Sequence, residues 1–217
     1  LQPKTRFLEN PLAVVHGDYT ARSGYSRARQ LLQPYATDDE VDTALSSRFA
    51  LVNVWHHFGP EPVQADPMAF AVWGTFTPHD VMTKRLTFPH RIGETYQGLY
   101  TPEQRWVHFS RVTRREAILI KTFDSLEDGT ARFSLHSAFR YPEQDGPDHA
   151  SLPVRESIEL RALVLYGDGL ETFAPNFANV SMPASDSPVK VRMQAKQTEL
   201  EIYNLIKSEV LPPGDEW

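Results

Sequence analysis

The stretch Val14-Val15-His16-Gly17-Asp18-Tyr19-Thr20 is a short apolar run that ends in the pattern His-x-Asp. In an extended strand, residues two apart project from the same face, so His16 and Asp18 are expected to lie side by side. One imidazole and one carboxylate are two of the three ligands of the facial triad that holds non-haem iron. The third ligand has to be a histidine from a distant strand, and the best candidate is His136, within the run 133–139. Taken alone, His-x-Asp also fits an ordinary polar strand face.

The composition indicates one globular domain with a sizeable core, since 41% of the 217 residues are hydrophobic and 23% are charged. The net charge of -6 gives no general attraction to nucleic acid or to anionic membranes. No apolar run approaches the ~20 residues of a membrane-spanning helix, so no membrane insertion is expected. The lack of cysteine excludes disulfides and fits a cytoplasmic protein. Because the sequence begins at Leu1 without methionine, an N-terminal piece is expected to be missing.

Short apolar runs, separated by Gly, Pro and Asp clusters, predict a mainly β domain with helices outside it. One helix is predicted from Ser23, as its N-cap, to Leu32, and a second from Asp38 or Asp39 to about Leu45. Strands are predicted over residues 49–55, 68–73, 95–100, 106–109, 117–123, 131–139 and 157–166. These elements predict a single β-rich domain over residues 1–217, with its core at about 11–166.

The C-terminal part of the chain has a different pattern. Residues 167–192 are rich in Pro, Asn and Ser and predict a covering loop or arm. A helix is predicted over about 193–210, in which one apolar stripe contains Leu200, Tyr203, Ile206 and Val210. We expect this stripe to pack on the core or on a partner subunit, and a homodimer through the helix is the expected assembly.

The predicted strand 157–166 and the residues just before it contain several charged side chains. Arg155, Ser157, Glu159 and Arg161 share one face of an extended chain, whereas Ile158 points to the other. An arginine soon after the distal histidine is suited to binding a 2-oxoglutarate carboxylate with two hydrogen bonds. The alternative is a ladder of ion pairs, Arg155–Glu159 or Glu159–Arg161, on a solvated face, and this stretch taken alone favours the ladder.

Two further groups contain candidate polar residues. His56 and His57 are adjacent and point to opposite strand faces, so only one of them can face a pocket beside Trp55, and a surface pair is the alternative. The run 104–109 contains Gln104, Trp106 and His108, and Lys121 follows on a later strand. Aromatic residues in such runs belong to the core more often than to a binding site.

As a set, seven segments resemble the asaB hydroxylase/desaturase family of fungal secondary metabolism, and through it the bacterial cephalosporin-pathway hydroxylases. They are His16-Gly17-Asp18-Tyr19-Thr20, Asn53-Val54-Trp55, Arg91-Ile92-Gly93-Glu94-Thr95-Tyr96, Arg105-Trp106, residues 120–125, His136-Ser137-Ala138-Phe139 and residues 155–161. The resemblance implies a double-stranded β-helix (jelly-roll, cupin-like) core with flanking α-helices. It also implies Fe(II) and 2-oxoglutarate in ordinary members, with His16, Asp18 and His136 as iron ligands. Arg155, or Arg161 one pleat pair further on, would bind the oxoglutarate.

The chain departs from the family at several polar positions. His56 and His57 stand where the family has Arg-Pro after the tryptophan, and Gln104 stands where it has histidine before Arg-Trp. Replacing arginine by histidine removes a permanent two-pronged carboxylate partner, and replacing histidine by glutamine removes a titratable group. Residues around a metal site orient its ligands, so these changes suggest that the scaffold has been reused.

The preferred interpretation is therefore a redox-neutral pericyclase. In this respect the chain resembles divergent family members associated with hetero-Diels–Alder cyclisation in fungal tropolone–sesquiterpenoid pathways, where a polyketide-derived quinone methide joins a terpene alkene. Catalysis would come from orientation and from hydrogen bonds to a carbonyl, without metal or cofactor. The expected catalytic residues are His16, Asp18, His57, Gln104, His136 and Arg155, and the expected substrate contacts are Trp55, Trp106, Phe139, Lys121 and Arg161.

Two alternatives remain open. The first is an Fe(II)/2-oxoglutarate-dependent hydroxylase or desaturase of a small apolar natural product, with iron on His16, Asp18 and His136. The second is an inactive partner subunit of such an oxygenase, for which the C-terminal arm and helix are suited. All three interpretations place the protein in natural-product biosynthesis and exclude nucleic acid as a partner.

Overall fold

The computed structural model describes residues 10–88, 91–142 and 151–166. The two α-helices of this part of the chain are α1, Ala21–Leu32, and α2, Asp38–Ser46, and a 3-10 turn covers Pro78–Asp80. The strands are β1, His16–Gly17; β2, Phe49–His57; β3, Met68–Ala71; β4, Val81–Phe88; β5, Arg91–Gly98; β6, Trp106–His108; β7, Ala117–Asp124; β8, His136–Ala138; and β9, Ser157–Leu165. The predicted arm at 167–192 and the predicted helix at 193–210 lie outside the described residues.

The strands of the described residues form two sheets. One has six strands in the order β4-β5-β1-β8-β3-β6, and the other has three in the order β7-β2-β9. The pairings of β1 with β5 and β8, of β3 with β6 and β8, of β4 with β5 and of β2 with β7 are antiparallel. The expectation of a mainly β protein is confirmed.

The central strand of the smaller sheet forms much of the core. On β2, Trp55 pairs with Ile118 of β7, and Asn53 pairs with Ile120. The buried cluster contains Trp55, Val63, Met68, Val112, Ile118 and Ile120. Fully burying one such aliphatic side chain stabilises the folded state by ~1.5–3 kcal/mol, so this cluster holds the smaller sheet in place.

The sequence did not predict strand β4 or the start of β5. Strand β5 begins at Arg91, whereas the sequence predicted a strand from Thr95, and no strand was predicted at 81–88. The first half of β5 pairs with the end of β4, as Arg85 does with Glu94. Strand β4 lies at the edge of its sheet and contains Lys84 and Arg85, and edge strands often bear such charges against unwanted pairing. The sequence of β4 therefore lacks the apolar pattern by which the other strands are predicted.

Helix α1 begins earlier than predicted. Thr20, rather than Ser23, caps its N-terminus: the Ser23 backbone N–H donates to the Thr20 hydroxyl at 3.0 Å, and the Thr20 N–H donates to the Ser23 hydroxyl at 2.9 Å. These reciprocal bonds satisfy two donors that the first turn leaves open. No helix of the described residues is long and apolar enough to cross a membrane.

The chain divides into two compact units, the first formed by residues 1–31 and 49–164. Of the second unit, the described residues are 32–48 and 165–166. In it, Thr37 and Glu40 form a reciprocal cap at the start of α2, and the hydrogen bonds from Thr37 hold the pKa of the Glu40 carboxyl below its usual value. The guanidinium of Arg48 lies 4.4 Å from the centre of the Tyr166 ring. The expectation of a single domain over 1–217 stays a prediction, because most of 165–217 lies outside the described residues.

Candidate active site

Antiparallel pairing in the six-stranded sheet brings two distant histidines together. His16 of β1 lies directly opposite His136 of β8, and the centres of the two rings are 4.4 Å apart. Asp18 follows the end of β1 by one residue, so its side chain extends from the same face as that of His16. One ligand atom from each of the three residues lies within 4.8 Å of the others. Two imidazoles and a carboxylate therefore converge on one point.

Both imidazoles are held by the backbone through the same ring atom. His16 Nδ1 lies 2.7 Å from the carbonyl oxygen of Val14, and His136 Nδ1 lies 3.0 Å from that of Ser134. A carbonyl can only accept, so each Nδ1 donates its proton and each Nε2 keeps a lone pair. This arrangement fixes the tautomer that metal-binding histidines need.

The two oxygens of the Asp18 carboxylate contact different neighbours. Oδ1 lies 3.6 Å from His16 Nε2, whereas Oδ2 accepts a hydrogen bond of 2.7 Å from the side-chain amide of Asn53. Arg161 contributes a guanidinium nitrogen 3.9 Å from Oδ2. The carboxylate is almost fully buried, with 8% of its side chain exposed, and it is therefore rigidly placed.

The electrostatic environment suits a divalent cation. Burial lowers the pKa of His136, and the neighbouring His16 lowers it further, while Asp18 acts in the opposite direction. His136 is therefore neutral near pH 7, with its lone pair available. Neutral imidazoles and one carboxylate form the donor set of a non-haem iron site, so these residues fit that metal.

A cavity of about 240 Å³ adjoins the two histidines of this group. His16 and His136 form part of its wall, Trp55, Met68 and Ala138 supply apolar surface, and Arg155 projects into its lining. Ser157, Glu159 and Arg161, which share one strand face, line it as well. Ile158 also lines it, although strand alternation placed this residue on the opposite face. The two histidines therefore face a cavity whose wall also contains two arginines and some apolar surface.

Arg155 and Arg161 have different partners in this cavity. Arg155 donates through Nη1 to the backbone carbonyl of Asp66 and lies 5.4 Å from the centre of the Trp55 ring. Its buried Nε has no hydrogen-bond partner among the described residues, and burial lowers its pKa. Arg161 donates to Glu159 at 3.0 Å through Nε. Of the two arginines, Arg155 has the donor available for a ligand.

His57 and Gln104 do not belong to the cavity lining in the described part of the chain. His57 is buried, and its Nε2 lies 2.7 Å from the carbonyl oxygen of Glu61. Its neighbour His56 lies near the backbone carbonyl of Glu116. Gln104 donates to the backbone carbonyl of Leu99 at 2.8 Å, so it stabilises a loop. The replacements that distinguish this chain from the family thus make local backbone contacts.

Three other expected contact residues also lie outside the described lining of the cavity. Lys121 donates to the carbonyl of Ala131 and lies 3.1 Å from the Asp124 carboxylate. Trp106 starts β6, at the edge of its sheet. Phe139 packs against the rings of His108 and Tyr141, at 5.2 and 5.1 Å between centres. Of the eleven residues expected in the site, the cavity and the triad bring together His16, Asp18, Trp55, His136, Arg155 and Arg161.

One residue in contact with the triad received no role from the sequence. Asn53 lies in the middle of β2 and touches Asp18, which is distant in the chain. The signal available beforehand was a lone amide in an otherwise apolar, strand-like run, because a buried amide needs a hydrogen-bond partner. The sequence cannot specify which partner it finds.

A family model described as "Oxidoreductase/YMDC permease-like domain" matches residues 2–165. The chain belongs to this family. The matched range contains both sheets and every residue of the candidate site. The expected relationship to the asaB-type hydroxylase/desaturases is confirmed as well: the chain is 34% identical over 153 residues to hydroxylase/desaturase asaB of Aspergillus flavus, which covers 64% of each protein.

Further relatives lead to the same group. A hydroxylase/desaturase of Cercospora beticola is 48% identical over 157 residues, which are 68% of this chain and 47% of that protein. The solved structure of the iron and alpha-ketoglutarate-dependent endoperoxidase NvfI matches with a TM-score of 0.64 at 26% identity, over 77% of this chain and 59% of the solved chain. The jelly-roll fold class predicted from the sequence is confirmed by this match. The chain spans between about half and two thirds of the length of the first curated relatives it matches.

The prediction of an enzyme without metal or cofactor is wrong. Similar proteins have names that state dependence on Fe(II) and 2-oxoglutarate, and the candidate triad is assembled in this chain. The changes at His56, His57 and Gln104 do not remove support from the triad. Those side chains contact backbone carbonyls elsewhere and leave the convergence of His16, Asp18 and His136 intact.

Proposed function

We propose that this chain is the catalytic part of an Fe(II)/2-oxoglutarate-dependent oxygenase that hydroxylates or desaturates a small apolar natural product. The observation that carries the proposal is the convergence of His16, Asp18 and His136, with both histidines bound to backbone carbonyls through Nδ1. The hydroxylase/desaturase and dioxygenase names of the relatives support it.

In this proposal the three side chains hold Fe(II), and the ion supplies the redox chemistry that couples 2-oxoglutarate and O2 to oxidation of the substrate. The protein contributes rigid placement of the ligands. The carbonyls of Val14 and Ser134 orient the two rings, and Asn53 with Arg161 holds the second oxygen of Asp18. Ligands fixed before binding lose little conformational freedom when the metal arrives.

Arg155 is the proposed partner of the distal carboxylate of 2-oxoglutarate. It lines the cavity, is held by the Asp66 carbonyl and has a buried Nε left to donate. Arg161 is the less suitable choice because its side chain is 59% exposed and its Nε and Nη2 already contact Glu159. The apolar surface of Trp55, Met68 and Ala138 limits water in the same cavity, which strengthens a charged hydrogen bond there.

The decisive experiment measures succinate release from 2-oxoglutarate by the chain loaded anaerobically with Fe(II) and then exposed to O2. We expect turnover by the wild-type chain and its loss in His16→Ala and His136→Ala. His79→Ala, at an exposed histidine of the 3-10 turn, is the matched control and should keep wild-type turnover. Succinate formation that is unchanged in both triad variants would place the metal elsewhere and overturn the proposal.

The hetero-Diels–Alder cyclisation stays a prediction; of the hydrogen-bond donors expected for it, Gln104 already donates to a loop carbonyl. A chain that consumes a quinone methide and a terpene alkene without releasing succinate would support it. A chain that binds iron but turns over neither 2-oxoglutarate nor those substrates would support the inactive-subunit interpretation. The apolar natural product as substrate and a dimer through residues 193–210 are likewise predictions.

A further inference from the structure

A buried amide faces the carboxylate of the triad from the other sheet. Asn53 lies in the middle of β2 with 1% of its surface exposed, between Val52 and Val54. Burying a side-chain amide costs stability unless its polar atoms are hydrogen-bonded. At this position an aliphatic residue would satisfy the core, so the amide needs an explanation beyond packing.

The partner of this amide is the carboxylate of Asp18. Asn53 Nδ2 donates to Asp18 Oδ2 at 2.7 Å, and the ionised carboxylate can only accept, which fixes the orientation of the amide. Both side chains are buried, so the hydrogen bond acts in a low-dielectric region where such bonds are strong. Arg161 reaches the same oxygen from 3.9 Å, beyond ordinary hydrogen-bond distance.

We infer that Asn53 is a positioning residue that fixes the orientation of the Asp18 carboxylate at the proposed metal site. This inference rests on the proposed function. Because Oδ2 is held by Asn53, only Oδ1, which lies 3.6 Å from His16 Nε2, is directed at the candidate metal site.

The test measures binding of Co(II) alone to the full chain by calorimetric titration and by the visible absorption of the bound ion, without 2-oxoglutarate or O2. Asn53→Leu keeps the branched shape of the side chain and removes the donor, and Asn53→Ser keeps a smaller donor. Thr122→Val is the matched control, because Thr122 is fully buried on β7 and donates to the Leu51 carbonyl away from the triad. Thermal unfolding of each variant reports the general cost of removing a buried polar group.

We expect Asn53→Leu to weaken Co(II) binding by about 10- to 100-fold and to change the intensity of the Co(II) absorption, as lost support of a ligand does. Asn53→Ser should recover part of the affinity, and Thr122→Val should lose thermal stability but no affinity. If Asn53→Leu does not fold, the affinity of Asn53→Ser decides, and it should lie below that of the wild type.

Two results would overturn the inference. In the first, the wild-type chain binds Co(II), and Asn53→Leu (or Asn53→Ser, where that variant decides) shows the same affinity and the same spectrum. This result overturns the positioning role alone and leaves the proposed function standing. A wild-type chain that binds no Co(II) overturns the proposed function, and the inference with it.

Discussion

At the scale of single residues, the directions of a few ring and carboxylate atoms decide the chemistry of the site. His16 and His136 each donate through Nδ1 to a carbonyl two residues earlier in the chain, so both present Nε2 to the same point. Asp18 presents Oδ1 because Asn53 occupies Oδ2. Such atoms need no rearrangement to receive a cation, and this is the property on which the proposed function depends.

The role of Arg155 leads to the first prediction at this scale. Arg155→Met should raise KM for 2-oxoglutarate by about 10- to 100-fold with little change in kcat, because a hydrogen bond between charged groups contributes ~1.5–3 kcal/mol. Steady-state succinate release at varied 2-oxoglutarate measures it. Arg140→Met is the matched control: Arg140 also contacts Asp66, at 3.3 Å, but is largely exposed. A raised KM in Arg161→Met together with an unchanged KM in Arg155→Met would assign the carboxylate to Arg161.

At the scale of elements, the contact of α1 with the smaller sheet depends on one glycine. Tyr25 of α1 packs edge-on against Phe49 of β2 and Phe123 of β7, with ring centres 5.0 and 5.5 Å apart. Gly24 lies beside the Phe123 ring: a Cβ added there would be 2.3 Å from Phe123 Cδ2. The absence of a side chain lets the helix approach the aromatic cluster closely.

Gly24→Ala should therefore destabilise the protein although alanine favours helices. The gain in helix propensity is ~1 kcal/mol. Forcing a methyl group into a packed contact costs ~1–3 kcal/mol and displaces the Phe123 ring from its packing with two other aromatic rings. We expect a net loss of up to about 2 kcal/mol in the free energy of unfolding, measured by urea denaturation. Ser26→Ala, on the exposed side of the same helix, should leave it nearly unchanged. A Gly24→Ala variant more stable than the wild type would show that α1 can shift without cost.

At the scale of the whole molecule, the candidate ligands connect distant parts of the chain. His16 and Asp18 lie near the start of the described residues, whereas His136 lies far along the chain. The three residues meet because β1 pairs with β8. A metal ion held by all three binds the folded state and not the unfolded chain. Metal binding and folding are therefore linked.

Addition of Mn(II) should accordingly raise the thermal unfolding midpoint. With free metal about 100-fold above Kd, the stabilisation is ~2.7 kcal/mol, which corresponds to roughly 5–10 °C for a chain of this size. Scanning fluorimetry with and without Mn(II) measures the shift. His16→Ala should abolish it, and His79→Ala should retain it. Equal shifts in both variants would mean that the stabilising ion binds outside the triad.

Features that depend on residues close together in the chain could be predicted from the sequence. The two-residue period of a strand predicts that His16 lies beside Asp18, as the structure has them. The same period places Ser157, Glu159 and Arg161 on one face, and all three line the cavity together with Ile158. The range of α2 was predicted closely, because Thr37, three acidic residues and the following apolar positions mark a helix start locally. The family followed from motifs in their order along the chain, and the fold class followed from the family.

Only the tertiary structure decided which distant residues meet. That His136 lies opposite His16 and that Asn53 reaches Asp18 are properties of strand register and of how two sheets pack. The same holds for Gln104 and Lys121, whose side chains contact backbone carbonyls outside the cavity lining. Local patterns fix the face on which a side chain lies, but shifting a strand by two residues preserves that face and changes every partner. Register is set by the packing of the whole core, which no single stretch of sequence contains.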